Sequence, residues 1–300
     1  MDSPGHSVKS RTAGLRAPRI ELPGPASTQW SALRRAAQLR LLKMHYDSGV
    51  GHIGGNLSCL DVLLYLHHYV MGPDDQFVLS KGHGAGALYI TLWTLGRLSD
   101  ADLATFHKDD TRLCGHPPAN GIEDILFATG SLGHGVSLAA GLALAKRIKG
   151  NPGHVYCVTS DGEWNEGSCW EALIFARHQQ LGNLTTVVDL NGFQGFGSTR
   201  DVADMGSLAA KFRAFDAGGS EIDGHEEASL RTGLLRPSNP SLRQHGPRMV
   251  VAHTRKGCGV SFMEDRMEWH YLPMNKLQYK IAVDEVEARH EGDEPAREAA

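Results

Sequence analysis

The chain is poor in cysteine. Only five of its 300 residues are cysteine (Cys59, Cys114, Cys157, Cys169, Cys258), an odd number with no C-x-x-C pair. This argues against a disulfide framework and a cysteine-built zinc site, and a reducing, cytoplasmic setting is expected. No apolar run reaches ~18 residues, so no membrane-spanning helix is expected. No apolar segment opens the chain as a secretory signal would. An excess of positive charge is also missing: 30 Lys and Arg face 34 Asp and Glu, for a net charge of −4. Nucleic-acid-binding domains are usually basic, so no nucleic-acid partner is expected. The H-x-x-x-H spacing of many zinc hydrolases is absent, and no internal repeat is visible.

Two residue types are abundant. Glycine supplies 35 residues, about 12% against a usual ~7%. Histidine supplies 16. Surplus glycine points to backbone brought close to ligands or to tight helix packing. Surplus histidine points to proton transfer, anion binding or metal. With 41% hydrophobic residues the chain can build a large core, in one large or two modest domains.

Residues 1–26 carry four prolines among Ser, Gly and Arg and read as a flexible arm. Residues 284–300 are crowded with Asp and Glu and read as a fraying helix end and an acidic tail. The domain proper is expected over 27–283. Within it, Thr28 is placed to cap a helix from Trp30 to Tyr46, and Ser58 with Asp61 to open another. Strands are expected at 76–80, 154–160, 184–190, 220–223 and 248–254, with helices such as 136–149 and 166–180 between them. This alternation predicts an α/β fold with a mostly parallel sheet and helices on both faces.

A polar, Gly-rich segment follows each strand: Lys81-Gly82-His83, Asp161-Gly162-Glu163, Asn191-Gly192, Gly224-His225 and Arg255-Lys256-Gly257. Any one of these is an ordinary βα turn. Five together mark the carboxyl edge of a parallel sheet, where ligands bind. Asn191 follows Asp161 by one loop, one helix and one strand, so the two should sit on neighbouring strand ends. A carboxylate and an amide oxygen are hard ligands suited to Mg²⁺ with phosphate oxygens. Gly162 lets backbone N–H approach an anion, and the helix starting near Glu166 adds its positive end. The residues therefore point to a magnesium–diphosphate site.

The pattern Asp161-Gly162 followed by Asn191 also resembles the thiamine-diphosphate (ThDP) fingerprint, with Ser160 in place of the usual leading glycine. Six motifs in order resemble the transketolase family, and its split, two-gene bacterial branch in particular. They are GVGHIGGNLS (49–58), FVLSKGHGAGALY (77–89), CGHPPA (114–119), TGSLGHGVSLAAGLALA (129–145), SDGEWNEGSCWEAL (160–173) and KGCGVSFMEDRMEWH (256–270). The resemblance implies the ThDP-binding fold. It also implies Asp161, Asn191 and the carbonyl of Phe193 as ligands of Mg²⁺ or another divalent cation such as Ca²⁺ or Mn²⁺. Gly162 matches the N–H donor to the diphosphate. His83 and His270 match histidines near the diphosphate and the substrate, and His52 and His116 match histidines that contact the sugar donor. Gly130 and Leu132 match positions against the cofactor rings. Glu166 matches an acid in a network that spans subunits.

The same resemblance implies an enzyme that moves a two-carbon ketol unit from a ketose (phosphate) donor to an aldehyde acceptor. Family members also need a pyrimidine-binding domain, and the 26 residues after 274 leave no room for one. A separate C-terminal subunit is therefore expected as partner, in an α2β2 assembly. Departures bear on substrate: Gly195-Phe196-Gly197 stands where an apolar residue then Asp-Gly is usual, and Cys258 where lysine is usual. A Pro-rich loop spans 236–247. Rival readings are the α subunit of a 2-oxoacid dehydrogenase, a deoxyxylulose-phosphate-type synthase, a specialised two-carbon transferase of secondary metabolism, and a non-catalytic scaffold subunit. His67 and His68 read as packing residues, while His134 and His225 fit a site wall or a structural role equally well.

Overall fold

Segments rich in β-branched residues form the centre of the molecule. A computed structural model describes residues 26–119, 121–235 and 246–290. The arm before residue 26, the loop 236–245 and residues 291–300 lie outside the described residues. Five strands, β1 (Gln76–Leu79), β2 (Val155–Ser160), β3 (Leu184–Leu190), β6 (Gly218–Asp223) and β7 (Arg248–His253), make one sheet in the order β1-β2-β3-β7-β6. Every pairing in it is parallel. Two short strands, β4 (Phe193–Gln194) and β5 (Gly197–Ser198), form a separate antiparallel ribbon just after β3.

Among the described residues ten α-helices precede, connect and follow these strands: α1 (Ala26–Ser48), α2 (Ile53–Tyr65), α3 (Ala85–Thr94), α4 (Asp100–Leu103), α5 (Gly135–Ile148), α6 (Gly167–His178), α7 (Thr199–Ala203), α8 (Leu208–Ala214), α9 (Glu227–Leu234) and α10 (Lys276–His290). Strand side chains alternate between two cores, as a pleated sheet requires. Phe77, Leu79, Tyr156, Val158, Val187 and Val250 face α1, α2, α3, α9 and α10. Val78, Val155, Cys157, Val188, Met249 and Val251 face α5, α6 and α8. Both faces are therefore covered, which is why these strands read as nearly continuous apolar runs. The expected α/β architecture is the one observed.

Three boundaries differ from the sequence reading. Helix α1 has already begun at Ala26, so Thr28 lies inside it rather than at its cap. Helix α2 starts at Ile53, not near Ser58, because His52 takes a left-handed backbone (φ 65°) immediately before it. Ser58 is thus mid-helix, and its hydroxyl donates to Asp189 Oδ2 at 2.7 Å. Helix α10 continues through Asp284 to His290, with Val286 and His290 buried. Its acidic residues are used as local partners: Glu285 accepts from the Ser261 backbone at 2.6 Å and Glu287 pairs with Arg35 on α1.

His67 and His68 behave as the packing residues expected. His67 Nδ1 donates to the Leu63 carbonyl at 2.9 Å, and His68 Nε2 meets Thr94 Oγ1 at 2.9 Å. Burial holds the His67 ring neutral, down at about 4 from the ordinary 6.5. Below pH 6.5 the unfolded chain takes up a proton that the folded chain refuses until about pH 4. The stability is therefore present above pH 6.5 and lost as pH falls towards 4, by about 3 kcal/mol for this residue. A His67→Gln variant should lose less stability than the parent chain between pH 7.5 and 4.5, read as urea midpoints. Parallel curves for the two proteins would refute this account.

Candidate functional site

The polar segments after the strands do converge. At their centre lies a buried ion pair between Lys81, after β1, and Asp189 on β3; both side chains are at most 1% exposed. Lys81 Nζ also donates to the Gly55 carbonyl at 3.0 Å. Asp189 accepts from Ser58 on α2 and from the Thr254 hydroxyl after β7. Asn191 Nδ2 approaches the same Asp189 oxygen at 3.3 Å. Burial alone would push the Asp189 carboxyl up, but Lys81 and these donors hold it below the usual carboxylate range. Burial would likewise lower Lys81, yet Asp189 holds it raised. Charged residues are almost never buried unpaired, and each of these exists only because of the other. Neither was given a role from sequence. The one signal was a lone Asp in the buried run TTVVDL.

Asp161 directly follows β2 and is 2% exposed. Its Oδ1 accepts from Gly162 N at 2.8 Å and its Oδ2 from Gly192 N at 2.7 Å. Asn191 Oδ1 accepts from Phe193 N at 3.0 Å. Asp161 and Asn191 are thus both fixed to the turn 191–193, together with Phe193, as the strand-end reading expected. Burial, with Asp189 nearby, pushes the Asp161 carboxyl up to about 7. A divalent cation beside it would offset that penalty, so the donor set of a carboxylate, an amide and a backbone carbonyl fits such an ion. Two further observations fit a diphosphate. A Cβ at Gly162 would run into Gln194, so only glycine leaves that backbone open. Gln194 Nε2 is itself a buried donor without a hydrogen-bond partner. Lys256, after β7, is 1% exposed and has no carboxylate partner among the described residues. Burial, with Lys81 adding repulsion, lowers it to about 8.

Beside this cradle stand four histidines. The His52 ring lies 5.0 Å from His270, 6.0 Å from His83 and 6.4 Å from His116, centroid to centroid. Their backbones are linked as well. His52 N donates to the His270 carbonyl at 3.1 Å, and the His52 carbonyl accepts from Asn56 Nδ2 at 2.8 Å. Burial keeps all four neutral: His52 falls to about 4, His270 to about 3, His83 well below its ordinary value, and His116 moves the same way. Lys256 Nζ donates to His270 Nδ1 at 3.1 Å, which leaves the ring proton on Nε2. Gly130 (φ 147°) presses against the His116 ring: a Cβ there would stand 2.9 Å from it. Leu132 is half-buried on the same loop. Glu166 stands exposed at the start of α6, over Gly133, rather than among the histidines.

His225 proves structural. It bridges Asp61 (2.8 Å) and the Arg255 backbone, whose N–H donates to Nε2 at 2.9 Å. Arg34 grips both Asp61 oxygens. Cys258 lies close enough to Asp61 and His225 to form a ligand-like trio, but the Arg34 cation already occupies the carboxylate. His134 is exposed and meets only the Ser131 carbonyl, at 3.3 Å. A larger cavity of about 440 Å³ opens beside Asp75 and Lys146 at the amino end of β1, away from all of this chemistry.

The Gly195 departure has a local cause. A Cβ at Gly195 would stand 2.9 Å from the Tyr271 hydroxyl, which instead donates to the Gly195 carbonyl at 2.5 Å. Tyr271 thus fills the space that the side chain at 195 would take, with its ring 4.6 Å from His270.

A parallel sheet with a carboxylate–amide pair, a glycine cradle and buried lysines at its carboxyl edge places the chain in the class of diphosphate-binding α/β domains. Comparison narrows the class. Residues 39–286 match the family model described as transketolase, thiamine diphosphate binding domain. The chain belongs to the transketolase family, as its N-terminal domain. It is 35% identical over 265 residues to a subunit of the apulose-4-phosphate transketolase of Actinobacillus succinogenes, covering 85% of this chain and 93% of that protein. It is 36% identical over 248 residues to the 6-deoxy-6-sulfo-D-fructose transketolase subunit SqwG of a Clostridium species, covering 80% and 89%. Among solved structures, a transketolase from Pichia stipitis superposes with a TM-score of 0.76 at 22% identity, covering 89% of this chain and 44% of that one. The chain therefore spans less than half the length of that enzyme.

The Tyr271–Gly195 fit is directly testable. Gly195→Val should lower the melting temperature by driving a branched side chain into Tyr271. Adding Tyr271→Ala should restore most of the loss, a coupling of about 1–3 kcal/mol. Additive effects of the two substitutions would sink the explanation.

Proposed function

We propose that this chain is the ThDP-binding subunit of a split transketolase. It moves a two-carbon ketol unit from a ketose phosphate, or a similar acidic ketose, to an aldehyde, and is active only with a separate pyrimidine-domain subunit. One observation carries the reading: the Asp161–Gly162–Asn191 cradle and the four neutral histidines lie at one sheet edge. Three relatives covered to about nine-tenths of their length are named as subunits, which supports a separate partner subunit; an α2β2 assembly is the arrangement proposed. Their names pair a ketose with a phosphate or a sulfo group, which supports an acidic ketose as donor. No helix among the described residues is long and apolar enough to cross a membrane. The cytoplasm is the setting proposed.

In this reading Asp161, Asn191 and the Phe193 carbonyl would hold Mg²⁺, and Gln194 and Lys256 would donate to the diphosphate, joined by Gly162 N once the metal takes over the Asp161 Oδ1 to which it now donates. Bound thiamine diphosphate supplies a carbon centre that accepts the electron pair released when the bond beside a ketone breaks. The chain's own part is to place the donor and handle its protons. A neutral imidazole both donates and accepts, so His52, His116 and His270 can grip sugar hydroxyls and take or return a hydroxyl proton. His83 packs behind them against the cofactor side. Gly130 and Leu132 form the wall against the cofactor rings, and Glu166 faces outward towards the partner. The site mouth is rimmed by exposed apolar side chains, Phe196 at 91% and Tyr271 and Leu272 at about half. Such a patch is suited to burial by a second protein chain.

Mixing the chain with its pyrimidine-domain partner, ThDP and Mg²⁺ should give ketose formation from a ketose phosphate and an aldehyde, with no turnover by either protein on its own. Asp161→Asn should lower kcat/KM at least about 100-fold. Full activity of the isolated chain would overturn the split-enzyme reading. Decarboxylation of 2-oxo acids without ketol transfer would favour a 2-oxoacid dehydrogenase component instead.

A further inference from the structure

Against the site histidines lies a small chamber of about 110 Å³. Buried His45, Asn56 and Phe106 line it together with half-buried His52 and exposed His107 and His116. At ~30 Å³ per water, it has room for about three waters or two hydroxylated carbons. His45 is 1% exposed. The Val50 and Gly51 backbone takes up its ring N–H. No side chain among the described residues meets either ring nitrogen, so the acceptor nitrogen is left for a donor inside the chamber.

The chain makes room for these imidazoles. A Cβ at Gly86 would stand 2.6 Å from His45 Nε2, and one at Gly115 would collide with the His107 ring. The lining holds no Asp, Glu, Lys or Arg side chain. Burial keeps His45 and His52 neutral, both near 4. A neutral imidazole offers one donor and one acceptor, and a hydroxyl offers the same pair. A phosphate or carboxylate would be desolvated there without a countercharge. The chamber therefore matches the uncharged, hydroxyl-bearing end of a sugar and rejects its acidic end.

We propose that this chamber is an inner donor subsite, in which His45 and His107 bind a hydroxylated carbon beyond the two-carbon ketol unit. The proposal rests on the two-carbon-transfer reading above and extends it to a longer transferred unit. Two 2-oxo acids of the form R-CO-COO⁻ test it: hydroxypyruvate, where R is CH2OH, and its homologue, where R is CHOH-CH2OH. In each, the bond between carbonyl carbon and carboxylate breaks and CO2 leaves. The electron pair stays on the carbonyl carbon and forms the new bond to the aldehyde carbon, and the aldehyde oxygen takes a proton from water.

The experiment uses the reconstituted holoenzyme with one fixed aldehyde and scores the ketose formed. Wild type should use the longer acid with kcat/KM within about tenfold of hydroxypyruvate. His45→Phe, which removes both ring nitrogens and narrows the chamber, should cut the longer acid at least about tenfold more than hydroxypyruvate. His45→Gln, which keeps a donor and an acceptor, should recover most of that difference. His107→Phe, at an exposed lining position, should shift the ratio in the same direction and serves if His45→Phe does not fold. Equal losses on both acids would make these residues merely structural and overturn the proposal. Turnover of hydroxypyruvate without the longer acid means that the chamber holds water only, which overturns the proposal and leaves two-carbon transfer standing. Turnover of neither acid overturns both.

Discussion

The arrangement of the site depends on the buried Lys81–Asp189 pair. Two charges taken from water carry a penalty of several kcal/mol each, which only close pairing and further hydrogen bonds offset. That requirement fixes four elements at once. Lys81 comes from the end of β1 and Asp189 from β3; Ser58 donates from α2 and Thr254 from the end of β7. Asn191 lies two residues beyond Asp189, and His83 two beyond Lys81, so the register of the pair sets the register of the cradle and of the histidines. A buried glutamate, Glu163, does a similar job at the outer edge. It accepts from the Ser80 hydroxyl and from Gly133 N, which ties the loop before α5 to the ends of β1 and β2.

Neutrality is the second constraint. The site histidines are close-packed and partly desolvated, with Lys81 and Lys256 near enough to repel added protons. His52, His83 and His270 are held well below the ordinary imidazole range, and His116 is shifted the same way, so each offers a donor and an acceptor rather than a positive charge. The lysines, in contrast, stand on the diphosphate side. The site therefore separates an uncharged, imidazole-lined region from a lysine-bearing, cationic one within a single sheet edge. The glycines maintain the division, because Gly86, Gly115 and Gly130 leave the space the imidazoles fill.

Much of this was legible in the sequence. The five strand segments, the helices between them and the convergence of polar loops followed from periodicity, since parallel strands must be apolar and their carboxyl ends must turn. Asp161, Gly162, Asn191 and the four histidines were legible because their motifs are local. The histidine excess resolved as local patterns indicated for His67 and His68, which pack. His225 was undecided, because its partner Asp61 lies 164 residues away. The starts of α1 and α2 were misread, as capping residues are common inside helices too. The left-handed turn at His52 is set by its link to His270, far along the chain.

The sequence by itself determined the fold class, the order of the motifs and the identity of the cradle, because those depend on neighbours along the chain. Tertiary structure alone decided what the remaining polar residues do. Lys81 and Asp189 are 108 residues apart, and Tyr271 reaches Gly195 across 76. No local pattern announces that a tyrosine replaces a missing side chain, or that His45 in α1 lines one chamber with His52. Such roles arise when crossovers bring distant elements within van der Waals contact, and there a buried polar group must find a partner or leave room for one.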